Sequence, residues 1–318
     1  MTNNATVAVR TQDTQQNQND EHRAPSKLKS AARQLGVVWS NTKARIGIII
    51  LAVFVLIAIA APLLAPYGAS QNGFARSADA TAAHWMGTTA AGEDVLSQII
   101  YGARISVMVG AVAGILSTLV AVAIGLSWGY VRGWIAEVIG FIVNLFLVIP
   151  GLPLMIVIAA YLQNGGIAVI IAVIVVTGWA WGARVLRSQT QSLRGRDFVT
   201  AAQFSGEGAT RIVFREILPN MTSLIVGSFF GAATSAILAE AGLEFLGLGD
   251  SSIVSWGTIL YWAQNSNALL TGQWILLFAP GLCIALLAMS LTLINFGVDA
   301  VSNPRLRDGA RPRKEKRA

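Results

Sequence analysis

The run IGIIILAVFVLIAIAAPLLAP, residues 46–66, decides the fold class of this chain. It has no charged side chain, and a helix needs about 20 apolar residues to cross the hydrocarbon core of a bilayer. The whole chain of 318 residues shares this character, with 54% hydrophobic and only 12% charged residues. Soluble domains are typically about a quarter charged. The composition therefore excludes a soluble globular protein and predicts an integral membrane protein.

Further apolar runs follow the first one, so we predict an all-α, polytopic protein with six transmembrane helices. The longest charge-free run, residues 138–183, is broken by QNGG at 163–166 and is predicted to form two helices joined by a tight turn. Pro150 and Pro153 interrupt the first of these helices, either as a packing kink or as a hinge or pathway lining. The six predicted spans cover residues 46–66, 105–130, 138–162, 167–186, 220–242 and 273–298.

Basic residues predict the orientation of these spans. Of the 23 Lys and Arg residues, 21 lie in the two tails, in the turn after the second span or in the loop after the fourth; Arg76 and Arg104 are the other two. Cytoplasmic loops carry the excess of Lys and Arg, so both termini and the loop after the fourth span are predicted to be cytoplasmic. This clustering also argues against nucleic acid as the reason for the net charge of +7.

The tails frame a transmembrane domain predicted to cover residues 46–300. Residues 1–45 are rich in Thr, Asn and Gln, lack the pattern of a cleavable signal peptide, and are expected to be largely disordered. Residues 301–318 form a basic C-terminal tail. A family resemblance described below implies that the membrane is a bacterial plasma (inner) membrane.

Small residues four apart are frequent in the spans and predict close packing of helix backbones. We expect no charged residue deep in a span, which argues against a proton- or sodium-driven carrier, and no inverted repeat stands out. Asn144 and Asn295 are expected to form interhelical hydrogen bonds, before substrate contacts. The glycine pairs are Gly110/Gly114, Gly125/Gly129, Gly178/Gly182 and Gly227/Gly231.

Patterns of catalytic and metal-binding residues are missing from the sequence. The two histidines are His22 and His84, and neither a glycine-rich nucleotide loop nor a His-Glu-x-x-His motif occurs. The lone Cys283 lies in an apolar run, where it is expected to pack as a small hydrophobe. We therefore predict a protein with no catalytic residues, no metal and no cofactor, whose energy comes from a partner.

The loop TAAQFSGEGATRIVFREILPN, residues 200–220, is a charged insert between apolar spans. Residues 197–206 can form a short helix that ends at Gly206, because glycine adopts the left-handed conformation found after helix ends. Pro219 stops a second helix or bends it into the fifth span. The loop is thus predicted to be a helix–turn–helix joined to spans at both ends; a segment lying on lipid is the alternative. The apolar stripe of the second helix is Ala209, Ile212, Val213 and Ile217.

This loop resembles the cytoplasmic EAA loop of ABC-importer permeases, in which Glu-Ala-Ala is followed by three residues, Gly and later Leu-Pro. Thr200 stands where that pattern has Glu, which leaves open the charged contact that Glu would make. The resemblance implies that the small residues let a groove of an ATPase approach the backbone closely. The residues to which it assigns ATPase coupling are Thr200, Ala201, Ala202, Gly206, Glu207, Ile217, Leu218 and Pro219.

Four further segments are similar to the dipeptide/oligopeptide/nickel subgroup of these permeases: residues 84–106, 237–250, 255–260 and 303–307. The resemblance implies the type I importer permease fold. It further implies an ATP-driven importer of di- or oligopeptides, built from this chain, a distinct second permease, two ATP-binding subunits and an external solute-binding protein. The same machinery could import nickel or glutathione. From other classes, a stand-alone secondary transporter and a non-transporting scaffold remain as rivals.

The predicted external parts are residues 67–103 and 243–272. Trp256, Tyr261 and Trp262 suit the depth of lipid headgroups, and this region is expected to be a gate or docking surface, or plain interfacial packing. Four carboxylates are expected to be solvated there, or to meet basic groups of a docking partner: Glu93, Asp94, Glu244 and Asp250.

Overall fold

The computed structural model describes residue 39 and residues 41–162 and 166–302, so most of both tails and of the QNGG turn falls outside it. The regular elements in these ranges are helices, which confirms the all-α class. Between α8 and α9 the chain forms a short π-helix (Ile212–Ile217) and a 3-10 turn (Leu218–Met221). The helices are α1 (Thr42–Leu64), α2 (Val95–Tyr130), α3 (Trp134–Val148), α4 (Gly151–Tyr161), α5 (Gly166–Gly178), α6 (Ala180–Arg194), α7 (Asp197–Phe204), α8 (Ala209–Arg211), α9 (Thr222–Phe245), α10 (Trp256–Asn265) and α11 (Ile275–Ser302).

Helices long and apolar enough to cross a membrane account for most of the described chain. Four qualify alone, namely α1, α2, the continuous run Ala209–Phe245 and Ile275–Asp299 of α11. Two bent pairs, α3 with α4 and α5 with α6, raise the number to six if each pair is one span. The chain is therefore a polytopic membrane protein with four to six candidate spans in its described part.

The sharpest bend coincides with the predicted proline break. The axes of α3 and α4 differ by 90°, and Pro150 separates α3 from the first residue of α4. Proline has no N–H to donate and pushes the preceding residue into extended backbone. Ile149 accordingly has φ −68° and ψ 127°. The predicted interruption of this helix is confirmed.

Two glycine pairs on α2 let two other helices approach its backbone. A Cβ on Gly114 would lie 2.8 Å from the Cβ of Ala233 on α9, and one on Gly129 would lie 2.5 Å from the Cβ of Thr190 on α6. Gly110 and Gly125 are equally crowded. Since real Cβ atoms do not approach so closely, these positions fix α2 against α9 at one end and against α6 at the other.

The other two predicted pairs are only half used. Gly182 lies close to Ala121 and Gly227 close to the Oδ1 atom of Asn295, but Gly178 makes an ordinary contact and Gly231 faces open space. The interhelical hydrogen bond predicted for Asn144 is confirmed, because it accepts one from Arg184 at 2.6 Å. For Asn295 the prediction is wrong: its buried Oδ1 has no partner within the described part of the chain.

Residues 65–94 and 246–274 pack together at one end of the bundle, and we call them the cap. The amide of Gln273 donates to the carbonyl of Thr88 at 3.3 Å, and the indole N–H of Trp256 donates to the carbonyl of Ile99 at 3.0 Å. Trp256 is fully buried, so its predicted position among lipid headgroups is wrong. Trp262 is exposed. Trp256 thus anchors the cap in a hydrophobic core that the cap shares with α1, α2, α9 and α11.

Buried carboxylates contradict two expectations. Glu240 lies inside the α9 span with 0% of its surface exposed, and Glu244 is 2% exposed rather than solvated. Asp94 is also buried, whereas Glu93 is half-buried. Buried carboxylates need hydrogen-bond donors, and the donors come from elements distant in sequence, where local patterns do not reveal them.

Candidate functional site

Residues 197–221, which we call the elbow, form two short helical segments joined at Gly206. Gly206 has φ +77°. The N–H of Glu207 donates to the carbonyl of Ala202 at 3.1 Å, and the N–H of Gly206 donates to that of Gln203 at 3.0 Å. These two bonds form the Schellman arrangement that ends helices at a left-handed glycine. The predicted helix end and turn at Gly206 are therefore confirmed.

The second segment runs without a break into the membrane-spanning part of α9, so that residues Ala209–Phe245 form one helical run. Pro219 does not stop the helix; it lies in the 3-10 turn. Two side chains there hydrogen-bond backbone carbonyls: Asn220 Nδ2 donates to the carbonyl of Glu216 at 2.7 Å, and Thr222 Oγ1 donates to that of Pro219 at 2.6 Å. The elbow and α9 are thus parts of one continuous helical run.

The inner face of the elbow packs on the bundle. Val199, Ile212 and Ile217 are buried in a cluster that includes Leu126 of α2 and Leu186 of α6. Val213 is half-buried, so three of the four residues of the predicted stripe face inward, while Ala209 is exposed. The elbow is therefore anchored to the spans along one face.

The outer face presents aromatic side chains to the surroundings. Phe204 is 87% exposed and Phe214 is 61% exposed. Neither was among the residues predicted from the sequence; the available signal was a large apolar residue directly before the Ser-Gly that ends α7. Exposed apolar surface of this kind marks interaction sites. The elbow therefore has an anchored inner face and an apolar outer face with no covering residues in the described chain.

The sequence-predicted residues of the elbow divide between these two faces. The hydroxyl of Thr200 donates to the carbonyl of Arg196 at 3.2 Å, so it is used locally. Glu207 forms an ion pair with Arg211 at 3.1 Å. Ala201, Gly206 and Pro219 are exposed, Thr200, Ala202, Glu207 and Leu218 are half-buried, and Ile217 is buried.

Basic side chains fix the helix that leads into the elbow. Arg194, the last residue of α6, donates to the carbonyl of Tyr130 at 2.7 Å at the end of α2. The guanidinium of Arg187 lies 3.9 Å from the ring centroid of Trp128. Cations at a helix C-terminus interact favourably with its free carbonyls. The start of the elbow is therefore held in place by α2.

The buried carboxylates form a second polar site, at the cap. Ser106 of α2 donates to Glu240 at 3.3 Å, and Ser255, the N-cap of α10, donates to Glu244. Asp94 caps α2 through the N–H of Ser97 at 2.8 Å and pairs with His84 at 3.0 Å. The groups join α2, α9 and α10, and they show no arrangement for nucleophilic catalysis.

All four external carboxylates were expected to be solvated or to meet a partner, and only Asp250, at the rim of the cap, is exposed. Asp250 is exposed and accepts hydrogen bonds from the hydroxyl of Ser252 at 2.6 Å and from its N–H at 3.0 Å. These bonds hold the pKa of Asp250 below its ordinary value, because they favour the ionised form. Asp250 therefore contributes a negative charge to the rim.

Comparisons with known proteins agree with this architecture. Residues 38–80 match the N-terminal TM domain of oligopeptide transport permease C. The chain is 35% identical over 295 residues to the dipeptide transport system permease protein DppC of Alkalihalophilus pseudofirmus, covering 91% of this chain and 93% of that protein. It is 31% identical over 283 residues to the oligopeptide transport system permease protein OppC of Mycobacterium tuberculosis, covering 87% and 96%.

A di/tripeptide transport system permease protein DppC of Pseudomonas aeruginosa is 30% identical over 274 residues, covering 83% of this chain and 88% of that protein. Residues 121–308, more than half of the chain, match the family described as binding-protein-dependent transport system inner membrane component. The chain therefore belongs to that family: it is a multi-pass inner-membrane permease subunit of an ABC transporter, and a transport subunit rather than an enzyme.

Proposed function

We propose that this chain is a permease subunit of an ATP-driven importer of di- or oligopeptides, and that the elbow is where an ATP-binding subunit pushes. It forms the pathway together with a distinct second permease, and an external solute-binding protein delivers the cargo. The names of the relatives, which refer to dipeptide, oligopeptide and di/tripeptide transport, support peptide as the cargo. Nickel and glutathione have no support among these relatives.

In the proposed orientation, the elbow and both termini are cytoplasmic and the cap is external. This follows from the distribution of basic residues, since six Arg residues lie between positions 184 and 215, whereas Arg76 and Arg104 are the only Lys or Arg residues in or next to the two stretches assigned to the external side. An even number of spans then returns the chain to the cytoplasmic side. In this proposed orientation, the elbow faces the compartment in which ATP-binding subunits reside.

One observation carries the coupling role: the elbow has an apolar outer face but is anchored along its inner face and continuous with α9. Covering a large apolar side chain such as Phe204 stabilises a complex by roughly 1.5–3 kcal/mol. Ala201 and Gly206 beside it add little bulk, so a cleft can approach the backbone. A protein that grips this surface would therefore shift α9 with it.

The sequence argued against a stand-alone carrier because no charged residue was expected deep in a span, and the structure removes that argument. Glu240 and Glu244 are buried acids at the end of a span, so an absence of intramembrane charge no longer argues against a carrier. Membership of the permease family now supplies that argument. The two carboxylates bond to serine hydroxyls that tie helices together, which supports a structural role.

Site-specific photo-crosslinking tests the coupling role. A photoreactive p-benzoylphenylalanine replaces Phe204 in the transporter co-expressed with its other subunits, and we expect an ultraviolet-dependent adduct with an ATP-binding subunit. The matched control carries the same group at Trp262, which is an exposed aromatic residue in the cap. An adduct with the ATP-binding subunit from Trp262, or none from Phe204, would contradict the proposal.

Uptake measurements test the cargo separately. The assembled transporter, reconstituted in proteoliposomes with its solute-binding protein, is expected to accumulate labelled di- or oligopeptides when ATP is supplied. Nickel and glutathione serve as the competing cargoes. Uptake of either one without peptide uptake would overturn the peptide assignment but leave the elbow's role intact.

A further inference from the structure

A groove between α1 and α2 near the cap does not belong to either site described above. It has a volume of about 710 Å³, and its walls are largely apolar, with Val55 and Ile59 on α1 and Met108 on α2. Ile59 and Met108 are exposed on the outside of the bundle. The groove therefore opens sideways, toward the surroundings of the helices, at the end that the cap covers.

Arg104 lies in this groove and makes no hydrogen bond or ion pair with any residue that the structure describes. It is the tenth residue of α2 and shares the groove with Ala58, six residues before the end of α1. Six residues of helix span about 9 Å. The α-carbon of Arg104 is therefore displaced from the end of α1 at Leu64 toward the middle of the membrane-spanning bundle. A cation at such a depth is costly unless it is paired or reaches the interface.

The remaining polar groups of the groove are hydrogen-bond donors without charge. Tyr101 lies one turn before Arg104 on α2, and Ser70 lies at the mouth of the groove, in the segment after α1. None of the residues that line the groove is acidic. Its polar end can therefore satisfy an anion with oxygen acceptors, but the chain itself supplies no such anion there.

We propose that this groove binds an anionic phospholipid, with the phosphate at Arg104 and Tyr101 and an acyl chain along Val55, Ile59 and Met108. The charge of the guanidinium is complementary to the phosphate, and Arg also bonds phosphate in a directed, forked geometry. The apolar walls suit the chain that is attached to the same headgroup. A free anion would leave these walls uncovered, so the lipid accounts for both halves of the groove.

Native mass spectrometry of the assembled transporter tests this assignment. The complex is released from nanodiscs containing equal amounts of phosphatidylglycerol and phosphatidylcholine, and the retained lipids are counted. For the wild type we expect phosphatidylglycerol to be retained preferentially. Because each Arg near the membrane surface contributes about 1 kcal/mol of attraction to anionic lipid, and more when it is directly bonded, Arg104→Gln is expected to lower this preference by roughly fivefold or more.

Three further variants make the result specific. Arg132→Gln removes the same charge two residues beyond the other end of α2 and is expected to leave the preference unchanged. Met108→Trp leaves Arg104 in place but fills the acyl part of the groove, so it should lower retention of both lipids at this site. Arg104→Lys keeps the positive charge. If it retains the preference that Arg104→Gln loses, the loss in Arg104→Gln is due to the missing charge and not to a failure to fold.

Three outcomes would overturn the proposal. The preference for phosphatidylglycerol could survive Arg104→Gln, or fall equally in Arg132→Gln, in which case the attraction is spread over the surface. Alternatively, a phosphatidylglycerol with a photoreactive acyl chain could fail to label α1 and α2 while Arg104 crosslinks to another subunit. That last result would make the groove a protein interface.

Discussion

The cap and the elbow lie at opposite ends of α9 and solve the problem of polar and apolar groups in opposite ways. Two acids, Glu240 and Glu244, are buried at the end of α9 next to the cap, together with the hydroxyls that bond to them. The elbow exposes aromatic side chains, Phe204 and Phe214, with no covering groups in the described chain. At the cap, the buried acids find their hydrogen-bond donors within one chain, whereas in our proposal the exposed aromatic side chains of the elbow are covered by another protein.

This difference predicts that substitutions in the two regions affect different measurements. A buried donor or acceptor that loses its partner costs about 1–3 kcal/mol of folding free energy. An exposed interface side chain contributes little to the stability of the free subunit and acts through the complex instead. Cap variants should therefore lower thermal stability, and elbow variants should lower transport.

The largest effect is expected from Phe204→Asp. A charge in place of an apolar anchor should weaken the contact with the ATP-binding subunit by 2 kcal/mol or more, which corresponds to roughly a 30-fold or greater loss. Peptide uptake and co-purification of the ATP-binding subunit measure it. Gln203→Asp, which adds the same charge at the neighbouring exposed position, is the control. Full transport by Phe204→Asp would remove the distinction between the two regions.

Glycine-to-alanine substitutions give an intermediate effect and compare the regions at matched backbone geometry. Gly87 in the cap and Gly206 in the elbow both have φ +77°. A Cβ on Gly87 would lie 2.6 Å from the carbonyl oxygen of Ala78, whereas one on Gly206 would meet no atom within 4 Å. Gly206→Ala should cost only the left-handed strain of about 1–2 kcal/mol, and Gly87→Ala about 2–4 kcal/mol with the added clash.

Thermal unfolding of the two purified variants in the same detergent measures this ordering. The wild type and Gly231→Ala are the references, because Gly231 is a helical glycine with open space around it and its substitution causes neither strain nor a clash. Equal shifts for Gly87→Ala and Gly206→Ala would mean that the cap yields as easily as the elbow.

The smallest effect is expected from removing one hydroxyl in each region. Ser255 caps α10 by accepting from the N–H of Thr258 at 3.2 Å and also donates to the buried Glu244, so Ser255→Ala should cost about 1–2 kcal/mol. Ser205 in the elbow donates to the carbonyl of Ala201 at 3.0 Å but is exposed, so Ser205→Ala should stay within about 0.5 kcal/mol.

Denaturant or thermal unfolding in detergent distinguishes these two hydroxyl variants. Ser251→Ala, at an exposed serine of the same loop as Ser255, controls for the general effect of the substitution in the cap. A Ser255→Ala protein as stable as Ser251→Ala would show that the carboxylate and the helix end do not depend on this hydroxyl.

Features written in consecutive residues were predictable from the sequence. The spans, the break at Pro150, the helix end at Gly206 and the glycine pairs Gly110/Gly114 and Gly125/Gly129 all depend on local rules of apolar length and backbone shape. Their physical causes act within a few residues along the chain or on one face of one helix. Such causes leave a readable pattern.

Features that join distant residues were not predictable. Ser106 and Glu240 are 134 positions apart, and the indole of Trp256 bonds a carbonyl 157 positions away. A sequence pattern does not show that these groups meet, so Glu244 and Trp256 are predicted at the surface, and no charged residue is predicted deep in a span where Glu240 lies. In the elbow, the short π-helix at Ile212–Ile217 has more residues per turn than an α-helix. Ala209 therefore does not share the buried face of Ile212 and Ile217 that α-helical spacing predicts.

The uninterrupted helix from Ala209 to Phe245 also sets a mechanical ratio. Its backbone comes closest to a glycine of α2 at Ala233, which lies against Gly114. About 36 Å of helix lie between that crossing and Ala209, where the run begins within the elbow, and about 18 Å lie between the crossing and Phe245, where the run ends at the cap. If the crossing acts as a fulcrum, a stroke of about 4 Å at the elbow arrives near Glu244 as about 2 Å in the opposite direction, halved in travel and doubled in force.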